Sequence, residues 1–113
     1  MTQRFVFHAA HTLSWHPGKC SRLHGHTYAF EVDVKAPLDE NGVVVDFDHL
    51  VNIVNATVIE TLDHTLLNDI IPNPTAELIA AFIFATIDNG GIPVDRVRLW
   101  ETPDSSATVT RPR

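Results

Sequence analysis

The chain has 113 residues, 44% of them hydrophobic, and carries fourteen acidic against eight basic side chains for a net charge of −6. That length suits one domain with its own core, and the acidic balance speaks against a nucleic-acid partner, because phosphate binding needs a basic footprint. A single cysteine, Cys20, allows no internal disulfide; with no signal-like leader and no apolar run of spanning length, a cytoplasmic protein that does not enter the membrane is expected.

Residues 2–11 alternate, with Phe5, Phe7, Ala9 and His11 on one parity and Arg4, Val6, His8 and Ala10 on the other. This predicts a strand. Residues 12–23 hold Pro17-Gly18 and no period, so a loop is expected. Residues 26–36 alternate again, Tyr28, Phe30, Val32 and Val34 against Glu31, Asp33 and Lys35, as in a half-buried strand. Pro37 ends it, Asp39-Glu40-Asn41-Gly42 reads as a turn, and residues 43–45 as a short strand. Asp46 or Asp48 caps a helix running to about residue 61, with Leu50, Ile53, Val54 and Val58 on one face. Residues 62–73 show no regular pattern. Asn73-Pro74-Thr75 opens a second helix with Leu78, Ile79, Phe82, Ile83 and Ile87 on its apolar face, and Asn89-Gly90-Gly91 stops it. Residues 94–101 alternate, and residues 107–110 predict a last strand.

The order ββααββ predicts an α+β domain, a four-stranded antiparallel sheet with two helices on one face. Such a sheet has two open edges that must be covered or paired, so assembly of several copies through the sheet is expected.

The chemistry concentrates in the seven histidines. His24-Gly25-His26 opens the second strand, where residues i and i+2 point to one side, and the glycine permits a close approach. His11 ends the first strand on the parity of Phe5 and Phe7. Antiparallel pairing sets the end of one strand beside the start of the next, so three imidazoles meet at a corner of the sheet. Three neutral imidazoles suit zinc and leave a fourth position for water or substrate, the arrangement of a catalytic site. Cys20, four residues before His24, is the candidate for closing that position if the zinc is structural. The alternatives are solvated histidines at a strand start, or a non-catalytic, zinc-stabilised oligomeric binding module. Glu101 shares the parity of Val97 and Leu99, and a carboxylate continuing an apolar face needs a partner. His8 has the wrong parity for the cluster, and His16 and His49 are placed outside it.

Phe7-His8-Ala9-Ala10-His11, Cys20-Ser21-Arg22-Leu23-His24-Gly25-His26, Leu62-Asp63-His64, Asn73-Pro74-Thr75-Ala76-Glu77 and Trp100-Glu101-Thr102 follow one another along nearly the whole chain. Together they resemble the 6-pyruvoyl-tetrahydropterin synthase superfamily, and the three-residue spacer between Cys20 and His24 resembles its 6-carboxy-tetrahydropterin synthase branch. The resemblance implies one tunnelling-fold domain over residues 1–113, assembled as trimers or hexamers with active sites between subunits. It implies zinc on His11, His24 and His26, and no redox cofactor. The implied substrate is 7,8-dihydroneopterin triphosphate, converted to 6-carboxy-5,6,7,8-tetrahydropterin, acetaldehyde and triphosphate on a route to queuosine or another deazapurine. It further implies Cys20 as general base, Asp63 and His64 as a proton relay, and Glu101 as the pterin anchor. Thr75 and Glu77 are candidates for the same pocket, with helix capping and first-turn charge as their plainer roles. A 6-pyruvoyl-tetrahydropterin synthase, which eliminates triphosphate, is the alternative within the family.

Overall fold

The computed structural model describes residues 1–112. Strands β1 (Thr2–His11) and β2 (His24–Val34) pair antiparallel, with Thr2 opposite Asp33 and His11 opposite His24. Alternation sets which side is buried: Phe5, Phe7, Ala9 and His11 on β1, and Tyr28, Phe30, Val32 and Val34 on β2, all turn inward. Aromatic rings stack across the pair, Phe5 on Phe30 at 5.1 Å and Phe7 on Tyr28 at 5.0 Å between centroids. Such cross-strand pairs fix register, since a slip of one residue would turn every inward ring to solvent.

A helical run follows, made of α1 (Phe47–Val54), a π turn (Asn55–Ile59) and α2 (Glu60–Leu62). Asp46 is the cap, its side chain accepting from the Asp48 N–H. The Thr57 hydroxyl donates back to the Ile53 carbonyl at 2.7 Å, a competing bond of the kind that bends helices. The chain then passes through a two-residue strand, β3 (Thr65–Leu66), to α3 (Ala76–Asn89), capped by Thr75. Strands β4 (Val94–Thr102) and β5 (Ser105–Thr110) complete the sheet. Leu50, Val54, Val58 and Leu62 from the first run and Ile79, Ile83 and Ile87 from α3 join the inward faces of β1, β2 and β4 in one core. No helix among the described residues is long and apolar enough to cross a membrane.

The expected four-stranded antiparallel sheet is corrected in two places. The sheet has five strands in the order β3-β1-β2-β4-β5, and it is mixed, because β3 runs parallel to β1 with Ala9 opposite Thr65. Two residues are too few to display a period, so β3 left no signal in the sequence. Residues 43–45 form no strand. Instead Asp39 closes a tight turn, its carboxylate accepting from the Asn41 and Val43 N–H groups, with Gly42 at φ 79°. Val44 and Val45 spend their apolar surface against the core rather than in a ladder.

This packing predicts a contrast within α3. Ile83→Ala, at a fully buried position, should lower the unfolding free energy by about 2–5 kcal/mol, whereas Leu78→Ala, at a 45% exposed one, should change it by no more than about 0.5 kcal/mol. Urea unfolding of both variants at one protein concentration measures the difference.

Candidate metal centre and active site

The β1–β2 register delivers His11 and His24 as directly opposed residues at the end of the strand pair, with His26 one pleat further along the same face. The ring centroids lie 4.6, 4.9 and 5.2 Å apart. One nitrogen from each ring falls in a group whose members all lie within 4.8 Å of one another, a set that can hold a metal ion. Backbone carbonyls fix which nitrogens face inward. His11 Nδ1 lies 2.9 Å from the Pro74 carbonyl and His24 Nδ1 2.7 Å from the Arg22 carbonyl. A carbonyl only accepts, so both Nδ1 atoms carry hydrogen, and in the neutral rings both Nε2 atoms present lone pairs, 3.0 Å apart. His26 Nε2 is buried with no hydrogen-bond partner. A proton on His11 Nε2 relieves the first contact but leaves His26 orphaned, at the cost of a buried unmade bond. One cation at the centre satisfies all three. The donor set therefore fits a metal, and outer carbonyls that hold imidazoles in a ligating tautomer are the usual support of such a site.

Glu101, near the end of β4, stands at the rim of this cluster. Its Oε1 is 3.1 Å from His11 Nε2 and 3.6 Å from His26 Nε2. A cavity lined by Gly25, His26, Trp100, Glu101 and Thr102 opens beside it. For His11, burial pulls the pKa down, but the bond to Glu101, the Pro74 carbonyl and the Glu101 charge outweigh it and raise the imidazole above its ordinary value. For His26, burial wins and the pKa is lowered. The hydrogen bond from His11 holds the Glu101 carboxyl below the usual carboxylate range, against burial. Burial, helped by the Glu101 charge, pushes the neighbouring Tyr28 phenol upward; its hydroxyl is buried without a partner.

Asp63 and His64 form a second cluster. Asp63 Oδ2 lies 2.9 Å from His64 Nδ1. Asp63 Oδ1 accepts from the His8 N–H at 2.9 Å, and the His64 N–H donates to the His8 carbonyl at 2.6 Å. That N–H bond is the first cause of the lowered Asp63 pKa. His64 sits at φ 58°, a left-handed conformation rare for a side-chain-bearing residue, and the His8 backbone holds it there. The His64 ring lies 6.0 Å from the His8 ring, and His8 projects from the helix-free face of β1, opposite to His11. One protomer therefore gathers His11, His24, His26 and Glu101, while the Asp63–His64 pair makes no direct contact with that cluster, although a shallow cavity is lined by both His26 and His64. Cys20 is half-buried in a 3-10 turn of the β1–β2 loop, outside the metal-capable group. The Thr75 hydroxyl accepts from the Leu78 N–H at 3.2 Å as the α3 cap, and Glu77 is exposed in the first turn of α3.

The sequence profile of 6-pyruvoyl tetrahydropterin synthase matches residues 1–112. The chain belongs to this family. A Synechocystis protein named 6-carboxy-5,6,7,8-tetrahydropterin synthase is 41% identical over 119 residues, spanning 98% of this chain and 92% of its own. A Pyrococcus furiosus protein named dihydroneopterin monophosphate aldolase is 39% identical over 101 residues, spanning 87% and 85%. The solved structure of Caenorhabditis elegans 6-pyruvoyl tetrahydropterin synthase superposes with a TM-score of 0.87 at 25% identity, covering 99% of this chain and 94% of its own. These relatives support a tetrahydropterin-synthase type of activity on the α+β fold of the family.

Three participants of this family member's site escaped the sequence reading. The carbonyls of Pro74 and Arg22 are backbone groups with no signature. His8, set aside for its parity, does lie off the triad's face, but that parity puts it beside His64. Glu101, the expected pterin anchor, has His11 and His26 as ion-pair partners.

The raised pKa of His11 has a sign that can be tested. Near and just above the ordinary imidazole value of about 6.5, metal-free His11 keeps its proton, which a metal must displace; His26, with a lowered pKa, has none to give. Calorimetric zinc titrations over a pH series, in buffers of different ionisation enthalpy, should show proton release that disappears as pH rises through the His11 pKa. Zinc affinity should fall as pH is lowered.

Proposed function

We propose that this chain is a zinc-dependent 6-carboxy-5,6,7,8-tetrahydropterin synthase, a carbon–carbon lyase that takes 7,8-dihydroneopterin triphosphate to 6-carboxy-5,6,7,8-tetrahydropterin, acetaldehyde and triphosphate. The observation that carries the reading is the set of inward Nε2 atoms on His11, His24 and His26, with His26 Nε2 buried and without a hydrogen-bond partner. The name of the Synechocystis relative and the three-residue spacer from Cys20 to His24 favour the carboxy product. When bound, the ion supplies a Lewis acid that eases proton loss from the substrate's side-chain hydroxyls and stabilises negative charge beside them.

The protein's own groups do the rest. Cys20 takes a side-chain proton, the role the family resemblance gives to the cysteine four residues before His24. Asp63 orients the His64 imidazole through its Nδ1–H, leaving Nε2 to accept or donate a proton. Glu101 anchors the pterin by accepting from its amino group and ring N–H, with Thr75 and Glu77 at the same pocket. In one protomer the relay pair lies on the far side of β1 from the triad. The reading therefore places the active site between copies in a homo-oligomer, a trimer or hexamer joined along the β3 and β5 edges, and the product on a deazapurine route such as that to queuosine.

Zinc-loaded protein incubated with 7,8-dihydroneopterin triphosphate should yield 6-carboxy-tetrahydropterin and acetaldehyde by mass spectrometry. A 6-pyruvoyl product without acetaldehyde would favour the activity named for the C. elegans relative, and no turnover would leave a binding module. Cys20→Ala should keep its zinc and lose turnover by about 100-fold or more, the contribution expected of a general base; full activity in that variant would remove Cys20 from the mechanism.

A further inference from the structure

We infer that Glu101 is an exchangeable fourth ligand: it closes the metal centre in the substrate-free protein and leaves it when a pterin binds. The inference rests on the metal-dependent pterin reading above and adds a second position for the same carboxylate.

Zinc–nitrogen and zinc–oxygen bonds of about 2.0–2.2 Å around a tetrahedral ion put neighbouring donor atoms roughly 3.4 Å apart. Glu101 Oε1 lies 3.1 Å from His11 Nε2 and 3.6 Å from His26 Nε2, and the two histidine nitrogens His11 Nε2 and His24 Nε2 are 3.0 Å apart. These are separations between ligands of one ion. The carboxylate stands on the His11–His26 side of the triad, so a modest turn of its side chain completes the set.

The strand leaves Glu101 little other use for its charge. Trp100 pairs with Ala29 in the β2–β4 ladder, so Glu101 follows on the inward face, level with Tyr28 and next to His26. Its ion-pair partners are both imidazoles of the triad. Three neutral imidazoles leave the full double charge of the ion at a corner where His11 is completely buried. A carboxylate ligand halves that charge, which lowers the desolvation cost. Neither Glu101 nor Cys20, the other candidate for closing the site, belongs to the set of three imidazoles, but Glu101 already contacts two of them.

Anchoring a pterin takes the same oxygens. A carboxylate that accepts two hydrogen bonds from the ring is drawn off the ion, so arrival of the ring end of the substrate vacates the position its side-chain hydroxyls need. Opening of the centre is then coupled to recognition of the pterin ring, which would spare an empty enzyme from presenting a reactive ion.

The test uses Co2+ in place of zinc, read by its visible absorption, with no turnover involved. Substituting Glu101→Gln should change the spectrum of the substrate-free protein and weaken metal affinity in chelator competition by about tenfold or more, with circular dichroism unchanged; His24→Ala, a direct ligand loss, serves as the positive control. In the unsubstituted protein, saturating pterin that carries no side chain should shift the Co2+ spectrum, and it should shift the Glu101→Gln spectrum little. Unchanged spectrum and affinity in Glu101→Gln would overturn the inference, as would a wild-type spectrum indifferent to bound pterin, a measurement that stands even if the variant fails to fold. If Glu101→Gln behaves as expected while the wild type gives no product from dihydroneopterin triphosphate, the ligand role holds and the proposed reaction fails.

Discussion

Two ligand nitrogens, His11 Nε2 and His24 Nε2, face each other across 3.0 Å at the end of the β1–β2 ladder, and much of the molecule exists to keep them there. Between two neutral rings the contact is repulsive, and without a metal only a proton on His11 Nε2 relieves it. It persists because His11 is tied to Pro74, His24 is tied to Arg22, and the register that opposes them is held by stacked aromatic rings further along the same strands. The rings sit on the parity that also carries the histidines, so the force that buries the core is the one that aims the ligands. Stability and chemistry share one face of one strand pair.

The same economy operates at α3. The Asn73-Pro74-Thr75 segment starts the helix through the Thr75 hydroxyl and uses the preceding carbonyl to set the His11 tautomer. A change that moves the helix start would therefore reach the metal centre without touching a ligand. On the other flank of β1, the His8 backbone does comparable work for Asp63 and His64, holding the latter in a conformation it would not choose alone. Strain of this kind costs of order 1–3 kcal/mol and marks places where position matters more than comfort.

The sequence was most informative where a period ran long. The alternation through β1 and β2 named the inward residues and brought His11, His24 and His26 to one corner. A helix start within Asn73-Pro74-Thr75 and the stop at Gly90 were legible for the same local reasons, though which residue caps the helix was not. Where the deciding contact is distant and short, nothing in the residues announces it. Strand β3 consists of Thr65 and Leu66 and exists only because β1 offers an edge. Val43, Val44 and Val45 have strand composition, yet the Asp39 side chain takes the N–H of Val43 and closes a turn. The approach of Glu101 to the imidazoles follows from the Ala29–Trp100 pairing, which parity alone does not supply. The role of each side chain toward a pterin came from family resemblance, and geometry adds to it chiefly by bringing Glu101 to the imidazoles.

The claim on which the rest stands is that the three imidazoles bind one ion and leave Cys20 free to act on substrate. Zinc K-edge X-ray absorption of the purified, zinc-loaded protein tests it most directly. The account predicts one zinc per chain with three imidazole nitrogens, the remaining ligand being oxygen, all at about 2.0–2.2 Å. A sulfur ligand at about 2.3 Å would place Cys20 on the metal and contradict it, as would fewer than three imidazoles in the shell.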